Sequence, residues 1–402
     1  MSKRALAIVR GANLNKFQMQ TYELLADKYD ITAYSTYNHH FNLDDIHVPV
    51  KRLHCLDEFT DRLPWPFRGL LFATYISGFN HYMVGLEKEL RDSDIVHVEE
   101  TFNGYSYQAI RAKDQYGFKV VVTEWENIPF RLACTLPDSK STDLIPHSLL
   151  DNPRLRNEVR QKADLFIAVT ERAKHALILD GTAKDKIQVL PMGIDLTIFK
   201  PEVKSREMLS SLGLSEDDFV ILFIGRLCRE KGVYDLIYAA KMLMNDDELK
   251  SKRIKFLLVG TGPEKKRLHD TIQTLQLSQN VMLVGSYPYN KMPQLHNLAD
   301  IFILPSIPVR WWQEQFGMVL IEAFASGVPV ISTMSGSIPE VVGDAGILVQ
   351  PNDPLSLYQS IKGLVQDKQL REELKAKGRQ HALDKFDAIK IARQLDELYQ
   401  GI

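Results

Sequence analysis

The sequence predicts an α/β protein made of two doubly wound domains. Short apolar runs rich in Val, Ile and Phe alternate with longer amphipathic segments, the signature of strand–helix–strand units on a parallel sheet. That alternation stops at a proline-bounded seam and then restarts. The length of 402 residues leaves room for two cores at about 100–200 residues per domain. With 45% hydrophobic and 25% charged positions the chain has the composition of a folded protein, which excludes disorder, collagen and coiled coil.

The elements follow in order. The apolar stretch 5–9 is too short for a secretory signal and reads as the first strand. Further strands are expected over 31–34, 95–98, 119–123, 165–169 and 187–190, with helical patterns near 16–28, 105–116 and 171–179. Between them, 69–86 is largely uncharged, but its three glycines, Asn80 and His81 argue against a membrane span. Trp65, Phe67, Leu70, Leu71, Phe72, Tyr75 and Phe79 read instead as a helical face, either buried or offered to an apolar acceptor or a membrane surface.

The seam runs from Pro191 to Pro201 and is followed by a charged, Ser-rich segment, as a linker between compact units should be. The expected domains are 1–196 and 197–385. The second holds strands over 219–224, 254–259, 281–284, 301–304, 330–332 and 346–349. After a charged helix over 370–383, the stretch 388–399 repeats Ile, Leu and Leu at helical spacing. Within the tail 386–402 this helix must bury its apolar face, and the first domain is the candidate surface.

Charge and cysteine narrow the function. Forty-nine basic against 51 acidic residues give a net charge of −2, with no broad cationic field for a nucleic-acid backbone. Cys55, Cys134 and Cys228 lie far apart without zinc or redox spacing, which fits a reducing, cytoplasmic compartment. Ligands in doubly wound sheets bind beyond the carboxyl ends of the strands, so the site of two such domains is expected in the cleft between them.

The chemistry-bearing residues concentrate in the second half. A loop after the strand at 301–304 carries Glu314, Gln315, Phe316 and Gly317, and a helix beginning near Gly317 puts Glu322 in its second turn. Carboxylates so placed can accept hydrogen bonds from vicinal hydroxyls of a sugar or ribose. Ser335, Gly336 and Ser337 form a turn before Pro339, suited by its N–H groups to an anion. Gly225-Arg226 and Lys231-Gly232 flank a loop whose cations can stabilise a leaving diphosphate without a metal. Gly260-Thr261-Gly262-Pro263 is a partial dinucleotide signal, lacking the third glycine.

With seven residues between Glu314 and Glu322, in the setting Glu-Gln-Phe-Gly-x4-Glu-Ala-Phe-Ala-Ser-Gly-Val-Pro-Val-Ile, the chain resembles the family 4 retaining glycosyltransferases. That resemblance implies the GT-B fold, two Rossmann-like doubly wound domains facing an interdomain cleft. It implies that Glu314 holds donor-sugar hydroxyls and Glu322 the ribose, and that Arg226 and Lys231 clamp the diphosphate. It implies further donor contacts from Gly11, Gly225, Gly262, Tyr287, Gln315, Phe316, Gly317, Ser335 and Gly336. Ser335 stands where the family more often has glycine, and Ala12 where a second glycine is common.

In the first domain the pattern is weaker. His97, Glu99, Trp125 and Asn127 are candidates for acceptor or sugar contact, with a core histidine and a packed loop as the alternatives. In several relatives a His two residues beyond His97 positions the sugar; here that place is Glu99. Asp92-Ser93-Asp94 precedes a strand and reads as a loop or cap rather than a metal site. No obligatory metal or cofactor is expected.

The reading is therefore a cytoplasmic, retaining hexosyltransferase with a nucleotide-sugar donor such as a UDP- or GDP-sugar, in glycan, glycolipid or polysaccharide biosynthesis. Its acceptor is a carbohydrate, lipid-linked or small molecule, with peripheral contact at the inner membrane face as an accompanying expectation. A nucleotide-sugar epimerase and a non-catalytic sugar-nucleotide-binding protein are the alternatives.

Overall fold

A computed structural model describes residues 3–55, 58, 81–129 and 153–402. The apolar face expected over 65–79, and Cys134, lie outside the described residues. The chain forms two compact units, Met1–Gly193 with Ala388–Ile402, and Ile194–Asp387. No helix among the described residues is long and apolar enough to cross a membrane.

The first unit runs β1 (Arg4–Gly11), α1 (Lys16–Glu23), β2 (Tyr29–Thr36), β3 (Val50–Leu53), α2 (Leu86–Glu89), β4 (Ile95–Glu99), α3 (Gly104–Tyr116), β5 (Lys119–Glu124), α4 (Pro153–Lys162), β6 (Leu165–Ala168), α5 (Glu171–Leu179) and β7 (Ile187–Val189). All seven strands are parallel, in the order β3-β2-β1-β4-β5-β6-β7. β4 is buried along its whole length and β1 along all but its first two residues, as both faces of a central parallel strand must be. Among the described residues β3 is the one strand the apolar runs do not announce. It is an edge strand of four residues whose central Lys51 and Arg52 are exposed, so it carries no apolar periodicity to read.

The second unit runs α6 (Arg206–Ser211), β8 (Phe219–Ile224), α7 (Val233–Met244), β9 (Ile254–Val259), α8 (Lys265–Thr274), β10 (Val281–Gly285), α9 (Met292–Leu298), β11 (Ile301–Leu304), α10 (Met318–Ala325), β12 (Val330–Thr333), α11 (Ile338–Val342), β13 (Ile347–Val349), α12 (Pro354–Gln366) and α13 (Lys368–Lys385). Its six strands are parallel in the order β10-β9-β8-β11-β12-β13. The chain leaves β8 towards one edge and resumes at β11 towards the other. The carboxyl ends of β8 and β11 therefore mark the switch point, where neighbouring loops part and leave a crevice.

The last helix, α14 (Ala388–Gln400), belongs to the first unit. Its Ile391, Leu395 and Tyr399, spaced at one helical turn, enter the core cluster with Leu6, Ile8 and Tyr22. Tyr29 donates to Asp396 at 2.8 Å and Arg4 to the Tyr399 carbonyl at 2.9 Å. The Tyr399 hydroxyl reaches the middle of the sheet, 2.5 Å from Nδ1 of His97 on β4, and Nε2 of the same ring lies 2.7 Å from the Thr123 hydroxyl on β5. His97 is completely buried. Burial, and then the charge of Arg10, hold it neutral with a pKa well below the ordinary 6.5.

Tyr399→Phe leaves Nδ1 of His97 without its partner in a dry core, and should cost about 1–3 kcal/mol in urea unfolding. Folded His97 refuses the proton that it takes near pH 6.5 in the unfolded chain. Its contribution to stability is therefore complete above that pH and lost as the pH falls below it. Equal stability of wild type and Y399F at pH 7.5 would remove this tie from the account.

Candidate functional site

Two loops meet at the switch point of the second unit. After β8 the chain passes through Gly225 and Arg226 into a short turn, Arg229–Lys231, before α7. After β11 it passes Ser306 and an extended loop to Gly317, which caps α10 with φ +82. Lys231 Nζ lies 2.7 Å from Glu314 Oε2, and the Ser306 hydroxyl donates to the same oxygen at 2.6 Å. The Trp312 ring centroid lies 4.8 Å from the ammonium, close enough for a cation–π contact. The Lys231 and Glu314 side chains are only 19% and 7% exposed, so this is a largely dry ion pair.

Main-chain packing sets these positions. A Cβ on Gly232 would lie 1.7 Å from the Pro305 carbonyl oxygen, so the two loops touch where only glycine fits. A Cβ on Gly336, in the turn after β12, would lie 2.1 Å from the Glu314 carbonyl oxygen, which also accepts the Ser337 N–H at 2.9 Å. The turn at Ser335–Ser337 thus rests directly on the residue that carries the carboxylate. Ser335 is fully buried, and among the described residues its hydroxyl has no hydrogen-bond partner.

The remaining candidates of this unit lie on its other loops and on α10. Arg226 is exposed, its Nε donating to Cys228 Sγ at 3.4 Å. Gly225 follows β8 and donates to the Val259 carbonyl at 3.0 Å, next to the turn that contains Gly262. Tyr287 follows β10 and is half-buried. Gln315 is half-buried, whereas Phe316 is 1% exposed and packs edge-on against Phe386 at 5.9 Å, as a core anchor for the loop. Glu322 is buried in the second turn of α10 with Oε2 3.2 Å from Nε2 of His296.

The first unit has its own polar group at the carboxyl ends of β1, β4 and β5. Arg10 is fully buried, 3.1 Å from Glu99, and its guanidinium also donates to Gln18, Tyr22 and the Val9 and His97 carbonyls. Gly11 follows it with φ +55, its added Cβ 3.1 Å from the Tyr105 ring. Glu100, at φ +62, accepts from the Trp125 N–H at 3.3 Å. Glu124 accepts from the Thr101 N–H at 3.0 Å, and Glu126 from the N–H groups of Asn127 and Ile128 at 3.1 and 3.0 Å. Trp125 and Asn127 are both buried in this packing. Burial first, and then the neighbouring carboxylates, push Glu100 well above the usual carboxylate range. Burial pushes Glu124 up to about 7.

The sequence candidates therefore fall into two groups. Arg226, Lys231, Glu314, Gly225, Ser335 and Gly336 converge on the loops of the second unit, and Gly11, Glu99, Trp125 and Asn127 on those of the first. His97 is bonded through both ring nitrogens within the core of the first unit. Arg10, His296 and Ser306 were not legible as site residues. Arg10 ends an apolar strand, where a cation is out of place, and that was the one available signal. Asp94 accepts from the Ala5 N–H at 2.7 Å as a strand-end cap. Among the described residues no three His, Cys, Asp or Glu side chains converge to hold a metal.

Comparison with known proteins adds the following. A family profile described as glycosyl transferases group 1 matches residues 204–381, and one described as glycosyltransferase family 4 matches 35–198. The chain is 31% identical over 246 residues to a capsular polysaccharide biosynthesis glycosyltransferase, CapM, of Staphylococcus aureus, covering 58% of this chain and 60% of that one. It is 31% identical over 229 residues to a D-inositol 3-phosphate glycosyltransferase of Catenulispora acidiphila, covering 55% and 53%. The chain thus spans little more than half the length of these curated relatives. HepE of Anabaena, solved with UDP and glucose, superposes over 99% of this chain and 100% of its own with a TM-score of 0.75 at 20% identity. Sucrose-phosphate synthase of Thermosynechococcus elongatus does so over 99% of each chain with a TM-score of 0.73 at 19% identity. At these identities the structural likeness is one of fold.

Gly336→Ala should displace the Glu314 main chain and cost about 2–4 kcal/mol, seen as a fall of several degrees in Tm. An unchanged Tm would mean that the turn yields freely. Glu124 holds a proton to about pH 7 when folded but only to about 4.5 when unfolded, so its contribution to stability is present at acid pH and lost as the pH rises through 7. Glu124→Gln should remove that loss, gaining on the order of 2 kcal/mol on wild type between pH 5 and 8 in urea unfolding. Parallel stability curves for the two proteins would contradict it.

Proposed function

The chain belongs to the glycosyltransferase group 1 family with the GT-B fold, and from that premise we propose that it moves a hexosyl group from a nucleoside-diphosphate sugar to an acceptor hydroxyl with retention of anomeric configuration. The observation that carries this reading is the dry pairing of Lys231 with Glu314 at the switch point, on a loop that also carries the exposed Arg226. A cation and a hydroxyl-binding carboxylate are thereby held within one hydrogen bond of each other, where a phosphate joins a sugar.

In this reading Glu314 accepts hydrogen bonds from the donor sugar and Glu322 from the ribose, while Lys231 and Arg226 face the diphosphate. As the bond between the anomeric carbon and the phosphate oxygen breaks, charge grows on that oxygen, and the two cations stabilise it more than they stabilise the intact donor. The acceptor oxygen bonds to the anomeric carbon on the face the diphosphate leaves, and its proton passes to the departing phosphate oxygen. No carboxylate nucleophile is needed. Before the donor arrives, Lys231 and Glu314 neutralise each other, so each is kept in place without an unpaired buried charge.

The relatives support a role in building glycans or glycoconjugates: CapM is named for capsular polysaccharide biosynthesis, and the Catenulispora enzyme is named a D-inositol 3-phosphate glycosyltransferase. A carbohydrate, lipid-linked or small polyol acceptor fits this range. HepE, a chain of the same fold, was solved with UDP-glucose, which puts UDP first among the donors to test.

The test is a thermal-shift panel of UDP, GDP, ADP, TDP and their common sugar conjugates on wild type and Glu322→Ala. One nucleoside diphosphate should raise Tm in wild type and lose most of that effect in the variant. In turnover with that donor, Lys231→Ala and Arg226→Ala should each lower kcat about 100-fold, the loss expected on removing one charge-stabilising donor. Near-normal turnover in both variants would overturn the assignment, and stabilisation by no nucleotide would favour a chain that has lost its donor.

A further inference from the structure

Among the described residues the carboxylate of Glu322, the proposed ribose ligand, makes one hydrogen bond. Its side chain is 3% exposed, and His296, completely buried on α9, places Nε2 3.2 Å from Oε2. Among the described residues no other group donates to the Glu322 carboxylate. A buried carboxylate ordinarily takes two or three hydrogen bonds, so this one retains acceptor capacity for a ligand.

The histidine is built to make that one contact. Nδ1 is buried with no hydrogen-bond partner, so the ring proton belongs on Nε2, where the carboxylate accepts it. The ring lies against Phe302 at 5.2 Å and Phe199 at 6.1 Å, which prevent it from turning away. The next residue, Asn297, ties α9 down on both sides. Its amide donates to the Lys200 and Pro293 carbonyls at 3.0 and 2.9 Å, and its oxygen accepts the Glu202 N–H at 2.8 Å.

We propose that His296 is a positioning residue for the nucleotide. Its Nε2–H fixes one oxygen of Glu322, so that the remaining lone pairs are presented to the vicinal hydroxyls of a ribose. This rests on the reading of Glu322 as the ribose carboxylate. A histidine that merely joined α9 to α10 would affect stability for every ligand alike. A positioning histidine affects the discrimination between ribose and deoxyribose, because a preset acceptor gains most from a hydroxyl that is present.

The experiment measures Kd by calorimetry for UDP and 2′-deoxy-UDP, and for GDP and 2′-deoxy-GDP, with wild type, His296→Phe, His296→Gln, Glu322→Gln and the double variant H296F/E322Q. Wild type should prefer the ribonucleotide. H296F should weaken it about tenfold while leaving the deoxy form nearly unchanged. H296Q, whose amide nitrogen occupies the place of Nε2, should restore the preference. In the E322Q background, H296F should add less than about twofold. If H296F fails to fold, His296→Asn, whose amide sits at the Nδ1 place and cannot reach Glu322, takes its role with the same expected loss. Loss of the ribose preference in E322Q but not in H296F or H296N would overturn the role of His296 and leave that of Glu322 standing. A preference that survives in E322Q, or no nucleotide binding by wild type, would overturn the reading of Glu322 and this inference with it.

Discussion

The loops at the carboxyl edge of the six-stranded sheet are locked together by main-chain contacts that leave no room for a Cβ. Gly232 meets the Pro305 carbonyl and Gly336 meets that of Glu314. The first contact sets the turn bearing Lys231 against the loop after β11; the second seats the Ser335–Ser337 turn on the residue that carries the carboxylate. Close packing transmits such placements with little slack. The 2.7 Å ion pair between Lys231 and Glu314 follows from them, as does its low exposure.

From this constraint the division of labour in the second unit can be understood. Phe316 anchors the loop in the core, Glu314 turns its carboxylate to Lys231 and Ser306, and Gly317 starts α10 so that Glu322 emerges one turn further on. Glu314 takes Lys231 and Ser306 on one oxygen, and Glu322 takes His296 on one of its own. Both carboxylates are thus oriented by groups from another loop or helix, as a preorganised site requires.

The first unit solves a different problem. Its buried polar residues are paired to one another across the sheet: Arg10 with Glu99, His97 with Thr123 and Tyr399, Glu124 with Thr101. The cost of burying them is offset by bonds that tie β1, β4, β5 and the terminal helix α14 into one body. Burial, and then the neighbouring carboxylates, hold Glu100 well above the usual carboxylate range, and burial holds Glu124 up to about 7.

The sequence by itself determined the strand–helix alternation of both halves and which loops carry cations, carboxylates and glycines. These are local properties: apolar runs bounded by turn residues mark buried parallel strands, and a glycine-flanked motif reads as a loop whatever surrounds it. β3 escaped because an exposed edge strand has no apolar pattern. Only the tertiary structure decided which side chains meet. Lys231 and Glu314 are 83 positions apart, and His97 and Tyr399 are 302. His296 and Arg10 gained their partners from strand order and helix packing. No local signal encodes such meetings, because they depend on which loops the sheet order brings to one edge and which helix closes over which core.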